Sequence, residues 1–336
     1  MKQHSFLTAL CLLFAAVPIT GQTIKSSMEF APSEHWVKPV EKPYREEICL
    51  NGTWAFAPVQ LPVGFKEGET PAPALPGVNE VTFSKTPIRI PSPWNVNSFA
   101  DKNGLGGDHL TYPSYPKEWE SIKMGWLQKK FTVPASWKGK RIQIHFEAVA
   151  GKADIYVNGK VVGDNFDIFM PFDIDITDAV KFGQENILNV GIQKSSLFDD
   201  RKSPLGRRTY QGGSFWGQHI AGIWQDVYLV ALPQTRVADV YIQPIVNKNT
   251  LEVEVTLRND ENKPVKVNIS AAAYPWISKA GKTVLTAANP SSQLGSQAAL
   301  QMPTQKVTIP AGKEIKTTLK TTVDNKLKLW SPSSPN

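Results

Sequence analysis

The chain has 336 residues, of which 41% are hydrophobic and 20% are charged, which is ordinary for a globular protein of about two domains. Its formal net charge of +7 is scattered along the sequence without a basic helix or a dense cluster, and this favours a solubilising surface over nucleic-acid binding. The 26 prolines, the 10 tryptophans and the lack of long helical patterns indicate β structure.

Residues 1–21 have the features of a signal peptide. Lys2 supplies a positive start, residues 6–17 are apolar apart from one threonine, and a small residue precedes Gln22. The apolar run is too short to span a bilayer stably, so the sequence favours an exported protein and predicts no membrane span.

The two cysteines help to predict the cellular location of the protein. Lipidation of Cys11 is the less favoured alternative, because Cys11 lies inside the apolar run and follows Leu10 rather than a small residue. After cleavage Cys49 has no partner for an intrachain disulfide, and we interpret it as a buried or inert thiol. An exported protein of this size without disulfides fits the periplasm or the cell surface of a bacterium.

The first predicted domain, residues 46–233, follows an extended lead-in over residues 22–45. Trp54 and Phe56 share one face of a predicted strand and are expected in the core. The frequent prolines between residues 58 and 93 forbid continuous central strands and predict a long, mostly irregular excursion. Glycines and aromatic residues continue it to residue 118, and the aromatics favour an ordered, functional loop.

Short alternating strands follow without intervening helices. Between two of them, Asn158-Gly159 is a strong signal for a two-residue hairpin turn. The predicted strands cover residues 126–133, 142–148, 153–157, 161–162, 172–176 and 188–192. This spacing predicts an antiparallel sandwich.

A further strand is predicted from Ile223 to Ala231. Both of its alternating faces are largely apolar or aromatic, so it is expected in the middle of the structure rather than at its rim. A loop with several glycines and aromatic residues, 210–217, comes just before it and is expected to lie at its entrance.

After Pro233 the alternation resumes in a second predicted domain, residues 234–336. Residues 251–257 and 265–273 are predicted to pair around a turn, residues 286–303 read as a loop, and 307–309 and 315–323 form two more strands. This pattern is typical of a small immunoglobulin-like sandwich, here expected to be incomplete at its C-terminus.

A series of short segments carries a resemblance to a known family and follows that family's order. The segments are residues 50–54, 93–95, 125–126, 131–134, 137–140, 146–149, 155–160, 171–177 and 221–227. Together they resemble the non-catalytic N-terminal half of glycoside hydrolase family 2, the group of β-galactosidases, β-glucuronidases and β-mannosidases. The resemblance implies an all-β fold: a galactose-binding-like jelly-roll sandwich followed by an immunoglobulin-like sandwich. Ala221 and Gln225 replace the Ser and Arg of the family's pattern, so a contact that needs this Arg is not expected.

The resemblance also implies where the chemistry of the family lies. Retaining glycosidases need two carboxylates about 5 Å apart. In this family both are glutamates on a (β/α)8 barrel of about 250 residues that follows the immunoglobulin-like domain. No glutamate of this chain has that context, so we predict no catalytic residue and expect the chain alone to be inactive.

Sugar recognition is the role that remains. Pyranose rings present apolar C–H faces and hydroxyl edges, which suit aromatic side chains beside amide, imidazole or carboxylate groups. The candidate substrate-binding residues, chosen by their position in loops that border the barrel in the family, are Trp94, Asn95, Tyr112, Trp216, Gln218 and His219. Structural packing is the alternative for the aromatic candidates and His219, and it is the favoured one for Trp94 and Tyr112.

No metal or cofactor is predicted. Asp173, Asp175 and Asp178 form an acidic patch, which we interpret as the outward polar positions of a strand and its turn rather than as catalytic residues or calcium ligands. The histidines lack metal-ligand spacing, and His145 is interpreted as part of the polar face of a strand.

Two hypotheses about function stay open. In the first, the chain is the N-terminal part of an exported family 2 glycosidase, separated from its barrel by truncation, frameshift or gene splitting, or served by a separate barrel chain. In the second, it is a stand-alone exported carbohydrate-binding or scaffold protein, whose second sandwich must then close without a further strand. An open sheet edge invites aggregation. A cooperative melt of a monomer therefore favours the second hypothesis, and a molten or aggregating second domain favours the first.

Overall fold

The computed structural model describes residues 45–68, 71–95, 115–199, 220–278, 292–323 and 329–333. The strands in these ranges are β1 (Glu46–Cys49), β2 (Gly52–Val59), β3 (Ile88–Ile90), β4 (Met124–Thr132), β5 (Arg141–Phe146), β6 (Val149–Val157), β7 (Lys160–Asp167), β8 (Phe172–Asp175), β9 (Glu185–Gln193), β10 (Gly222–Ile223), β11 (Val227–Leu232), β12 (Thr235–Ile245), β13 (Thr250–Asn259), β14 (Val265–Ile269), β15 (Ala272–Ala273), β16 (Trp276–Ser278), β17 (Ser292–Leu294), β18 (Leu300–Gln301), β19 (Gln305–Ile309) and β20 (Glu314–Thr322). The predicted all-β class is confirmed.

Two antiparallel sheets face each other in the first part of the chain. A four-stranded sheet has the order β1-β11-β5-β8, and a seven-stranded sheet has the order β10-β6-β9-β4-β2-β3 with β7 paired to β6. Alternate residues of each strand point between the sheets, and the apolar ones form the main core. Phe56 and Ile155 enter it from one sheet, and Ile144 and Leu229 enter it from the other, all of them fully buried.

The Asn158-Gly159 turn forms the hairpin that its sequence predicts. Both residues have positive φ, 52° and 79°, as the two central positions of a type I′ turn require. The turn joins β6 to β7, and Asn158 is further held by a hydrogen bond from its Nδ2 to the backbone oxygen of Ala179 at 2.8 Å.

The prediction of one continuous strand over residues 223–231 is wrong. Two strands stand in its place: β10 pairs with β6 in the seven-stranded sheet, and β11 lies between β1 and β5 in the four-stranded sheet. The chain crosses between the sheets at residues 224–226, which belong to neither sheet. Trp224 donates to the backbone oxygen of Ile168, and Asp226 accepts from Asn51 and Tyr228. The central position expected for this segment holds for β11.

The proline-rich excursion after β2 covers the outer face of the seven-stranded sheet. Its apolar side chains, Leu61, Phe65, Leu75, Val78 and Phe83 among them, pack on Val59, Met124 and Trp126 as a second core. The indole N–H of Trp126 donates to the backbone oxygen of Pro76 at 2.8 Å. The excursion is irregular as predicted, except that its end forms the short edge strand β3, which pairs with β2.

Strands β12 to β20 form sheets of their own. A three-stranded sheet, β12-β13-β20, faces the two-stranded sheet β14-β19, and a small core of Val253, Val255, Leu257, Ile309 and Leu319 lies between them. The long strand β12 was not predicted, and it forms one edge of its sheet. No helix in the described part of the chain is long and apolar enough to cross a membrane.

Candidate functional site

One end of the first sandwich joins segments that are far apart in sequence. The backbone N–H of Ser92 donates to the oxygen of Ile223 at 3.0 Å, and that of Trp94 donates to the oxygen of Ala221 at 3.1 Å. The side chain of Asn95 continues this pairing, because its Oδ1 accepts from the backbone N–H of Ala221 at 2.9 Å. Half-buried Asn95 therefore fixes the chain directly after the predicted sugar-binding loop.

The structure corrects the prediction for Trp94, which lies in the core. Its side chain is fully buried, its ring stacks on Phe56 at a centroid distance of 5.0 Å, and its indole N–H donates to the backbone oxygen of Ile122 at 3.0 Å. A ring without an exposed face cannot stack on a sugar. The packing alternative, which the sequence favoured for Trp94, describes its position.

The other four candidates lie outside the described residues. They are Tyr112, Trp216, Gln218 and His219. Their role in substrate binding stays a prediction. The role of Asn95 also stays a prediction, although the structure does show its position at this end of the sandwich.

A rigid turn between β7 and β8, which the sequence did not single out, lies at the same end. We call residues 166–170 the aromatic turn. The Oδ1 of Asp167 accepts from three successive backbone N–H groups, those of Ile168, Phe169 and Met170, at 2.6, 2.7 and 2.9 Å. Burial alone would raise the pKa of Asp167, but these three donors hold it below its ordinary value.

Trp224 packs against the aromatic turn. Its indole N–H donates to the backbone oxygen of Ile168 at 2.7 Å, and its ring meets that of Phe169 edge-on, at 5.8 Å and 89°. Ile168 is buried with Ile220 beside it, so the turn is joined to the segment that Asn95 also holds. The sequence does contain a signal for this turn. An aspartate often accepts hydrogen bonds from the backbone of the residues that follow it in a turn, and here those residues are apolar up to Pro171.

A buried carboxylate ties the start of the sandwich to β11. Asp226 accepts from Asn51 Nδ2 at 2.9 Å and from the hydroxyl of Tyr228 at 3.0 Å, and Asn51 Oδ1 accepts from the backbone N–H of Val227 at 3.0 Å. Burial and the neighbouring negative charge of Asp226 raise the pKa of Tyr228 far above its ordinary range. Because the phenol stays protonated, it remains a donor to Asp226, and the network is structural in character.

The outer face of the four-stranded sheet carries polar side chains beside the apolar Val230 and Leu232, and it has a recess of about 220 Å³. His145 Nδ1 lies 2.9 Å from Asp173 Oδ1 in this recess. Burial would lower the pKa of His145, but the hydrogen bond to Asp173 and the charges of Asp173, Glu147 and Glu47 raise it above its ordinary value. The recess is also lined by two arginines, Arg45 and Arg236.

The acidic patch has the structural role that was favoured for it. Asp173 and Asp175 point outward from β8, the first toward His145 and the second toward Arg141, whose Nε donates at 3.0 Å. Cys49 is fully buried against Tyr228 and Val230, as interpreted. Among the described residues, no group of three or more His, Cys, Asp and Glu side chains is placed to hold a metal ion.

Comparison with known proteins identifies the family of the first sandwich. The sequence profile described as "glycosyl hydrolases family 2, sugar binding domain" matches residues 48–233. The chain belongs to glycoside hydrolase family 2. The match covers both sheets of the first sandwich, from β1 to β11.

Individual members of family 2 match parts of the chain. A β-galactosidase of Thermoanaerobacter pseudethanolicus is 32% identical over 151 residues, which is 44% of this chain and 19% of the relative. A β-glucuronidase of Formosa agariphila is 30% identical over 204 residues, 56% of this chain and 20% of the relative. This chain thus spans about a fifth of the length of these curated relatives.

A solved structure supports the same architecture. The crystal structure of a β-glucuronidase of Bacteroides uniformis superposes on 86% of this chain and 29% of its own, with a TM-score of 0.54 and 19% sequence identity. At this identity the likeness concerns the fold alone.

Proposed function

We propose that this chain is the carbohydrate-binding, non-catalytic N-terminal portion of an exported family 2 glycoside hydrolase that acts in carbohydrate degradation. The observation that carries the proposal is the family match over residues 48–233. It is supported by Asn95, which accepts a hydrogen bond from Ala221, two residues after His219 in sequence. The catalytic glutamates belong to a (β/α)8 barrel, either in the same polypeptide or in a separate chain.

In this proposal the end of the sandwich shapes the active site of that barrel. Asn95 and the predicted contacts Tyr112, Trp216, Gln218 and His219 hold sugar units of an oligo- or polysaccharide. Strands β12 to β20 form the immunoglobulin-like spacer between the sandwich and the barrel, and the small core between β12-β13-β20 and β14-β19 supports this role. The signal peptide at residues 1–21 directs the protein to the periplasm or the cell surface.

Affinity electrophoresis of the full chain without its signal peptide tests the binding role. The names of the relatives suggest two probes, β-1,4-galactan for the galactosidases and hyaluronan, which contains β-linked glucuronate, for the glucuronidases. We expect at least one polysaccharide to retard the chain, and Trp216→Ala to abolish the retardation. The matched control is Trp276→Ala, which removes a tryptophan that is 65% exposed on β16, far along the chain.

Hydrolysis of aryl glycosides tests the non-catalytic part of the proposal. The purified chain should release no nitrophenol from p-nitrophenyl β-galactoside or β-glucuronide, since the paired carboxylates of a retaining glycosidase are assigned to the barrel. Turnover that persists through a second purification would contradict the proposal. Retardation without hydrolysis is also consistent with a stand-alone binding protein. A cooperative melt of a monomer would favour that alternative.

A further inference from the structure

The aromatic turn, five residues long, carries three exposed apolar side chains. Phe166, Phe169 and Met170 are 46%, 42% and 63% exposed. Apolar side chains that are exposed close to one another mark contact sites more often than scattered ones do. These three belong to one turn of five residues.

The turn is held rigidly, so its exposed rings keep a fixed geometry. Asp167 fixes three successive backbone N–H groups, and the indole N–H of Trp224 fixes the backbone oxygen of Ile168. A contact surface that is already ordered loses little conformational entropy when a ligand binds. The edge-on arrangement of Phe169 and half-buried Trp224 forms an apolar corner.

The position of the turn connects it to the proposed binding loop. Residues 200–219 lie outside the described part of the chain. Just before them, the ring of Phe198 packs on that of Phe166 at 5.0 Å. Just after them, Ile220 is buried with Ile168. The aromatic turn therefore contacts the chain at both ends of the segment that carries Trp216, Gln218 and His219.

We propose that the aromatic turn and Trp224 form a carbohydrate subsite, which contacts the apolar face of one pyranose ring. This inference rests on the proposed function and deepens it. The ring of Phe169 offers the C–H contact. The second carboxylate oxygen of Asp167, Oδ2, takes no part in the three backbone hydrogen bonds and is an acceptor for a sugar hydroxyl.

The size of the surface favours a sugar over a protein partner. A stable protein–protein interface buries about 800 Å² on each side, supplied by about 20 to 30 residues. A five-residue turn with one tryptophan offers a small part of that area, whereas it matches one or two sugar rings.

Calorimetric titration of the full chain without its signal peptide tests this subsite, with β-1,4-galactotetraose and a hyaluronan tetrasaccharide as probes. Phe169→Leu keeps an apolar side chain of similar size and removes the ring, so we expect affinity for the bound probe to fall about fivefold to tenfold. Phe169→Tyr keeps the ring and should bind within about twofold of the unaltered chain. Trp276→Ala is the control for loss of an exposed aromatic residue elsewhere.

The outcomes separate this inference from the proposed function. If the unaltered chain binds a probe and Phe169→Leu binds it equally well, the subsite is wrong and the proposed function stands. If the unaltered chain binds neither probe, both are contradicted. If Phe169→Leu also lowers the melting temperature, the titrations are run at a temperature at which this variant is folded: affinity equal to that of the unaltered chain overturns the subsite, and the expected loss of affinity supports it.

Discussion

The carboxylate of Asp226 shows how single residues set the geometry of the sandwich. It is buried, and it joins the turn before β2, through Asn51, to β11, through Tyr228. A buried charge is tolerated only when hydrogen-bond donors surround it. The segment that crosses from β10 to β11 depends on these donors for its path.

Removal of one donor should therefore destabilise the fold. Tyr228→Phe deletes the hydroxyl that donates to Asp226, and we expect the free energy of unfolding to fall by about 1–3 kcal/mol. Urea denaturation followed by tryptophan fluorescence measures the change. Tyr241→Phe removes a hydroxyl from a 59% exposed side chain on β12 and should cost less than about 0.5 kcal/mol. Equal effects of the two variants would show that the network does not stabilise the sandwich.

His145 should make the stability of the sandwich depend on pH. Its pKa is raised in the folded state, mainly through Asp173, so the folded chain binds a proton more tightly than the unfolded chain. The resulting stabilisation is fully present below the unfolded pKa of about 6.5 and is lost as the pH rises through the folded pKa.

A pH series of urea denaturation checks this expectation. The difference in unfolding free energy between the unaltered chain and His145→Gln should shrink as the pH rises from about 6 to about 8. Asp173→Asn retains His145 but removes its principal partner, so its own profile should be flatter over this range. A difference that grows with pH would have the wrong sign for a raised pKa.

At the scale of elements, the sequence predicted those strands whose local signals agree with their environment. Asn158-Gly159 specifies its own turn, and the alternation of β5 specifies its buried face. The break between β10 and β11 could not be predicted, because it depends on long-range partners, Ile168 for Trp224 and Asn51 for Asp226. Trp94 was assigned to the site for the same reason: its partners Phe56 and Ile122 are distant in sequence.

The excursion after β2 is a structural layer, and its packing can be tested at Gly191. A Cβ at this position would lie 2.5 Å from the side chain of Leu75 and 2.8 Å from the ring of Trp126. Gly191→Ala should therefore cost about 1–3 kcal/mol of unfolding free energy through overpacking. The measurement is again urea denaturation.

Gly77, in the same excursion, provides the matched control. A Cβ there meets only the flexible end of the Glu80 side chain, which can move aside. Gly77→Ala should be neutral or stabilise the chain by up to about 1 kcal/mol. A Gly191→Ala variant as stable as Gly77→Ala would mean that the excursion does not pack on the sheet.

At the scale of the whole molecule, the proposed function assigns carbohydrate binding to the sandwich and cleavage to a barrel. The sandwich belongs to family 2, and its described end brings together Asn95, the aromatic turn and the two borders of the predicted binding loop. The sequence did not single out the aromatic turn, and for Trp94 it favoured packing over a place in the site. Trp94 lies inside the sandwich, and Phe169 lies at its surface.

The central claim is that this chain binds carbohydrate. Affinity electrophoresis of the unaltered chain, without its signal peptide, in gels that contain β-1,4-galactan or hyaluronan is the most direct test. We predict that migration relative to a non-binding reference protein falls in at least one of these gels, in proportion to the polysaccharide concentration. Migration identical to that in a plain gel at every concentration of both polysaccharides would contradict the claim.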